Sequence, residues 1–256
     1  MSILDLFSLE KKVAVVTGGN RSIGRAITIG LAEAGAVVVV VGRDSERNHE
    51  TVGEVEAIGG RAVAMTADVT SRVDVERLLG QVTSEVGPVD VLVNNAGIGI
   101  HAESLEIADS EWDRVLETNL DAVWKCCQVI GGQMVGRGTG SIVNIGSMSG
   151  LIVNRPQWHL PYGVSKAAVH HLTRSLAAEW ATRGVRVNAI APGVVQTEIA
   201  PPAMYEEYAP WWKDQSAMQR YATPVEIAPT ALYLASDASS FVTGEVLVVD
   251  GGYTLW

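Results

Sequence analysis

A tyrosine and a lysine four residues apart, Tyr162-Gly163-Val164-Ser165-Lys166, carry the strongest chemical signal in the chain. On a helix, residues i and i+4 share a face. An ammonium beside a phenol favours the phenolate and lowers the phenol's pKa. That turns a poor acid into one that exchanges a proton with an alkoxide near neutral pH. The pair alone is weak evidence, because both residues are common on amphipathic helices. Its weight comes from its surroundings. Fifteen residues upstream stands Ser147, in Ser141-Ile-Val-Asn-Ile-Gly-Ser147-Met-Ser149-Gly150. This reads as a strand running into a loop, where Ser147 can hydrogen-bond a substrate oxygen and hold it against Tyr162. Asn94-Asn95-Ala96-Gly97 ends another strand. Asn119 falls inside a long helical stretch, where a buried amide needs partners. It either holds a water linking Lys166 to solvent or serves the structure alone.

A second group of residues suits an anion. A short β-rich run leads into Thr17-Gly18-Gly19-Asn20-Arg21-Ser22-Ile23-Gly24, which opens a helix. A glycine-rich turn lets phosphate oxygens approach backbone N–H groups, and the helix N-terminus adds favourable partial charge. Gly97-Ile98-Gly99-Ile100-His101-Ala102 also fits G-x-G-x-x-A, but no periodic helix follows it directly, so it is not read as the phosphate turn. The next strand ends Val41-Gly42-Arg43 without a carboxylate. An acidic residue there would accept the 2′-hydroxyl of NAD and repel a 2′-phosphate. Arg43, with Arg21 in the turn, can pair with a phosphate instead. The expected cofactor is therefore NADP(H) in preference to NAD(H). In the alternative, Arg43 stacks on adenine or faces solvent and NAD(H) is used.

These groups need a scaffold, and the chain alternates strand and helix throughout. Strands are expected at Lys12–Thr17, Val37–Val41, Ala62–Thr66, Val89–Val93, Ser141–Ile145, Val185–Ile190 and Val246–Val249. The run of valines over Val37–Val41 marks a strand buried on both faces. Helices are expected at Ile23–Ala34, Ser45–Ile58, Arg72–Val86, Ser110–Val135, Tyr162–Thr182 and Val225–Ala235. Strands with helical crossovers predict a doubly wound, seven-stranded parallel sheet in one α/β domain over residues 1–256. The segment 196–223 interrupts the alternation. It holds three prolines with Tyr205, Tyr208, Trp211 and Trp212. It reads as a lid over the site, or else as an aromatic oligomer interface.

The chain has 256 residues, 47% of them hydrophobic, and a formal net charge of −10. That balance suits a globular protein and opposes a nucleic-acid role. No apolar run reaches membrane-spanning length, and MSILDLFSLEKK lacks the features of a signal peptide. The adjacent Cys126 and Cys127 are the only cysteines, as expected of buried thiols in a reducing compartment. A cytoplasmic location is expected. His159, His170 and His171 form no convincing ligand set, so no catalytic metal is expected. The apolar end Tyr253–Trp256 is expected to dock, on its own subunit or a neighbour.

Across nearly its whole length the chain resembles the short-chain dehydrogenase/reductase family. The resemblance implies a Rossmann fold and hydride transfer between a nicotinamide cofactor and a ketone or secondary alcohol. It implies a glycine motif at Gly18, Ser22 and Gly24, flanked by Asn20, Arg21 and Ile23. Asp68 with Val69 would lie beside adenine, Asn95, Ala96 and Gly97 beside the cofactor, and Pro192, Gly193, Val195 and Thr197 against nicotinamide. The catalytic tetrad would be Asn119, Ser147, Tyr162 and Lys166, with Tyr162 and Lys166 also touching the nicotinamide ribose. One departure stands out: the family's middle glycine is Ser22 here. Gly146–Gln157 and the chain's end also resemble the polyol (galactitol) dehydrogenase branch. By that likeness Ser149, Asn154 and Gln157 bond substrate hydroxyls; alternatively they order the loop before Tyr162. Trp158, Trp211 and Trp212 argue instead for a bulkier ketone. The family resemblance implies a homotetramer packed through the two long helices. A non-catalytic NADP(H)-binding sensor or assembly subunit is the alternative function.

Overall fold

The computed structural model describes residues 2–198 and 202–256. Seven parallel strands form one sheet: β1 (Val13–Thr17), β2 (Val37–Gly42), β3 (Arg61–Thr66), β4 (Val91–Asn94), β5 (Gly140–Ile145), β6 (Val185–Pro192) and β7 (Val246–Val249). Their order is β3-β2-β1-β4-β5-β6-β7. The direction of winding reverses between β1 and β4, and ligands of such sheets bind at the strand carboxyl ends near that reversal. β2 pairs in register with both neighbours, Val39 opposite Val15 and Val63. Alternate residues of each strand face opposite layers. Val15, Val39 and Leu92 pack under α3 (Arg72–Glu85) and the long helices that follow. Ala14, Val38 and Val93 pack under α1 (Ser22–Glu33) and the short helix near the C-terminus. Helix α2 (Ser45–Ala57) adds Val55 to this second layer.

The expected helix 110–135 is continuous but not regular. Three α segments, α4 (Asp109–Leu116), α5 (Ala122–Cys126) and α6 (Gly132–Arg137), are joined by π turns at Glu117–Asp121 and Cys127–Gly131. Each π turn widens the helix by a residue, a feature frequent at functional sites. Helix α7 (Leu160–Trp180) starts two residues before the expected Tyr162, with Pro161 in its first turn, where a missing N–H is harmless. Val89 lies outside β4 because its N–H donates to Gln133 Oε1 at 3.0 Å instead of entering the ladder.

The interrupting segment 196–223 contains α8 (Pro202–Gln215), with Pro210 inside it. Residues 199–201 and the side chain of Tyr205 lie outside the described residues. Its two ends are stitched together: Gln196 N–H donates to Ala222 O at 2.9 Å, and Ala222 N–H to Val194 O at 3.0 Å. The chain finishes with a turn Pro224–Glu226, α9 (Ala228–Ala235) and β7, so the expected helix 225–235 begins as a separate tight turn. Asp250 holds the C-terminus by accepting from Gly252 N, Thr254 N and Thr254 Oγ1. Tyr253 is buried on its own subunit, while Leu255 and Trp256 stay exposed. Among the described residues no helix is long and apolar enough to cross a membrane.

Candidate active site

The carboxyl ends of β1, β2, β4, β5 and β6 border a cavity of about 450 Å³. The glycine turn is anchored first. Thr17 Oγ1 accepts from the N–H groups of Asn95 and Ala96 at 3.0 and 3.2 Å. Asn95 Nδ2 returns bonds to the carbonyls of Thr17 and Gly18, both at 3.0 Å. Asn20 bonds Asn48, which in turn donates to Gly42 O and Met65 O, so the turn is also fastened to β2 and β3. The N-cap residue of α1, Arg21, makes no side-chain capping bond, and the first turn of the helix holds no acidic residue. Its N–H groups therefore remain available to an anion in the cavity.

Ser22 adopts φ +47°. The left-handed region costs an L-residue with a Cβ about 1 kcal/mol or more. Glycine would avoid that strain, which gives a backbone reason for the family's preference. Ser22 gains one compensating contact, since its Oγ accepts from Glu198 N–H at 3.2 Å. The strain exceeds what this exposed bond returns. Ser22→Gly should therefore raise unfolding stability by about 0.5 kcal/mol, read as a higher urea midpoint at unchanged m-value.

At the other end, Ser147 leaves β5 and caps a short turn. Its Oγ donates to Ser149 Oγ at 3.0 Å. Tyr162 projects from the first turns of α7, and its hydroxyl hydrogen-bonds Ser147. Lys166, one turn further, is buried, and its Nζ donates to Ile145 O at 2.7 Å. It lies 5.5 Å from the centre of the Tyr162 ring. Burial lowers the Lys166 pKa to about 8, so its ammonium persists at neutral pH. Tyr162 is not depressed in this state: burial pushes its hydroxyl up, and the Ser147 bond only partly offsets that. Lys166 is not among the groups that set this direction; its Nζ donates to Ile145 O instead of to the phenol oxygen.

Asn119 sits in the first π turn, fully buried. Its Nδ2 donates to Ile98 O and Ser165 Oγ, and its Oδ1 accepts from Ile98 N–H. The side chain is thus occupied in fixing the loop after β4, and it lies behind the cavity wall rather than in it.

The wall contains Gly18, Asn20, Arg21, Ser22, Ile23, Arg43, Asp68, Val69, Asn95, Ala96 and Gly97, with Pro192, Gly193, Val195 and Thr197. Gly24 is not in it; a Cβ there would strike the Gly18 carbonyl oxygen, so this glycine serves the packing of turn on helix. Asp68 is held below its ordinary pKa. Burial works against this, but two hydrogen bonds from Thr70, with Arg43 and Lys125 nearby, outweigh it.

The substrate end contains Ser149, Asn154 and Gln157. Two expectations fail here. Trp158 and Trp211 are 47% and 45% exposed and lie outside the cavity wall. Trp212, the third tryptophan expected there, is 3% exposed and does line the wall. Neighbours on a helix point about 100° apart, so only one of Trp211 and Trp212 can face inward. Two histidines that the spacing did not single out for this site also line it, His101 and His159. His159 Nε2 bonds Asn154 Oδ1 at 3.1 Å, and its Nδ1 bonds Gln157 Nε2 at 3.2 Å. With the two amides so oriented, Nε2 is the donor and Nδ1 the acceptor. Burial, with His101 nearby, lowers the His159 pKa to about 4, so it is neutral at working pH. Gln157 Oε1 is left buried without a partner among the described residues. No described group of His, Cys, Asp or Glu is arranged to hold a metal ion.

These residues fit a dinucleotide: a helix N-terminus without a capping side chain from Arg21 for the pyrophosphate, arginines and a carboxylate at one end, a Ser-Tyr-Lys set at the other. The family model described as enoyl-(acyl carrier protein) reductase, within the short-chain dehydrogenase/reductases, matches residues 18–254. A galactitol 2-dehydrogenase of Rhizobium johnstonii is 43% identical over 258 residues, covering 100% of both chains. The L-tagatose-forming galactitol 2-dehydrogenase of Cereibacter sphaeroides is 44% identical over 265 residues, again covering 100% of both. Among solved structures, a gluconate 5-dehydrogenase from Burkholderia cenocepacia J2315 in complex with NADP and tartrate superposes with a TM-score of 0.92 at 34% identity, covering 100% of each chain. Likeness over the full length joins what the strand order and the cavity already indicate: the chain belongs to the short-chain dehydrogenase/reductase family, NAD(P)-dependent oxidoreductases acting on alcohols and ketones.

Proposed function

We propose that the chain interconverts a secondary alcohol of a polyol and the corresponding hydroxyketone, with NADP(H) preferred over NAD(H). The observation that carries the substrate class is the polar wall around Gln157. Its buried Oε1 is an acceptor with no partner among the described residues. An unpaired buried acceptor is unfavourable by about 1–3 kcal/mol, which a substrate hydroxyl would recover. Ser149 and Asn154 line the same wall. With Trp158 and Trp211 outside the cavity, the case for a bulky apolar ketone weakens. The galactitol 2-dehydrogenases among the relatives support the polyol reading. The non-catalytic alternative finds no support there.

In this reading a bound nicotinamide would supply or accept the hydride exchanged with the carbinol carbon. Ser147 Oγ holds the substrate oxygen. Tyr162 Oη gives the proton during reduction and takes it during oxidation. The Lys166 ammonium stabilises the phenolate that remains and would bond the ribose of a bound cofactor. Asn119 acts as a positioning residue, holding the 95–98 loop against Lys166. Arg21 and Arg43 favour a 2′-phosphate. The segment 196–223 acts as a lid, a role supported by Met204 and Trp212 of α8 in the cavity wall. Exposed Trp124, Leu160 and Val164 on the long helices support a homotetramer packed through them. Buried free cysteines agree with a cytoplasmic location.

Gln157→Leu tests the substrate class. It should lower kcat/KM for polyols and ketoses by about tenfold or more, while a simple secondary alcohol loses far less. Equal losses on both would return Gln157 to a loop-ordering role. Parallel assays with NADPH and NADH test the cofactor preference, and a tenfold higher kcat/KM with NADH would reverse it.

A further inference from the structure

The adenosine end of the cavity holds a third arginine beyond Arg21 and Arg43. Arg47 is the third residue of α2 and lines the wall beside Asp44. Its guanidinium is already engaged. Arg47 Nη1 meets Glu198 Oε2 at 3.0 Å, and Nε lies 3.6 Å from Asp44 Oδ2. The two acids differ in their other duties. Asp44 caps α2, its Oδ1 accepting from Arg47 N–H at 3.2 Å. Glu198 arrives from the far side, at the start of the segment that follows β6. Its N–H is fixed to Ser22 Oγ at 3.2 Å, so its carboxylate is carried across the glycine turn to α2.

Another paired arginine at this edge is differently placed. Arg25 on α1 is paired with Glu54 and lines only the outer surface groove. Among these residues Arg47 both lines the cofactor cavity and is bonded by Glu198.

The Arg47–Glu198 pair is open to solvent, with side chains 45% and 58% exposed. Exposed pairs of this kind are weakly held. A phosphate monoester carries nearly two charges at neutral pH and three strong acceptor oxygens. It competes well for a guanidinium against a solvated carboxylate. A ribose hydroxyl does not.

We propose that Arg47 recognises a phosphate monoester on the adenosine ribose, and that Glu198 competes with that phosphate for it. The inference rests on the NADP(H) reading above. With a phosphorylated ribose bound, Arg47 leaves Glu198 and joins Arg21 and Arg43. With an unphosphorylated ribose, Arg47 stays on Glu198. Glu198 thus tempers the preference for NADP(H), and it keeps Arg47 neutralised in the absence of nucleotide.

Calorimetric titration of the full chain with adenosine 2′,5′-bisphosphate and with 5′-AMP tests this without turnover. The two ligands differ only in the 2′-phosphate. Arg47→Ala should weaken the bisphosphate about tenfold and change 5′-AMP by less than about twofold. Glu198→Gln should tighten the bisphosphate about threefold and leave 5′-AMP alone. In the double variant the Glu198 effect should vanish. Equal loss of both ligands in Arg47→Ala, or a Glu198→Gln gain that survives without Arg47, would overturn the inference. A wild-type chain that does not distinguish the ligands defeats the NADP(H) preference itself. A wild-type preference that is undiminished in Arg47→Ala defeats this inference alone.

Discussion

Tyr162→Phe should lower kcat for ketone reduction by at least about a thousandfold, within the range ascribed to a positioned general acid or base. The change removes one oxygen and little else. The ring stays wedged edge-on against His159, with centroids 5.4 Å apart. The Ser147–Ser149 bond and the Lys166–Ile145 bond do not pass through the lost atom. Nucleotide affinity should therefore stay within about twofold, since one neutral hydrogen bond is worth little net. Steady-state turnover and a nucleotide titration on the same preparation separate the two effects. Near-normal turnover would place the proton elsewhere. His159 packs against this ring, but with a pKa of about 4 it is a neutral imidazole near neutrality and not a general acid. The mechanism would then need a different acid altogether.

Gly24→Ala should abolish measurable nucleotide binding and destabilise the fold by about 2 kcal/mol or more. A Cβ at this position would run into the Gly18 carbonyl oxygen and Asn95 Nδ2. One obstacle is backbone. The other is a side chain committed to two carbonyls at 3.0 Å each, so neither can swing aside cheaply. Relief requires α1 to move away from the turn, and that withdraws the helix N-terminus from the anion it would face. Thermal unfolding and calorimetry with an adenine dinucleotide check both effects. If the variant keeps its melting point and its affinity, the turn is more yielding than its packing implies.

Much of this site could be read from residue types and spacing. Tyr162, Lys166 and Ser147 were legible because a helical period and a strand end suffice to bring them together. The sheet was legible because five valines in a row, flanked by glycine turns, leave few other structures for Val37–Val41. The phosphate turn was legible from its place between strand and helix. Other features depend on distant packing. The π turn at Asn119 leaves no mark on hydrophobic periodicity, because it arises where Asn119 reaches Ile98 and Ser165. His101 and His159 meet only because the loops after β4 and β5 converge; they are bridged at Ala102 and His159. Arg47 is one of many charged residues in a helix until Glu198, far along the chain, is seen beside it. The error over Trp211 is rotational: 196–223 reads from sequence as a lid with no helix assigned to it, and the turn of α8 decides that Trp212 rather than Trp211 faces the cavity.

The stitched ends of the 196–223 segment bear on how such a chain can diversify. Residues 194–196 and 222 are bonded to each other in the fold, so whatever lies between them begins and ends at one place. A loop of different length inserted there changes closure entropy only logarithmically, about 0.6 kcal/mol per doubling. Ser147, Tyr162 and Lys166 all precede this junction in the chain. The proposed lid can therefore change length between its two stitched ends without displacing the three residues proposed for the proton chemistry.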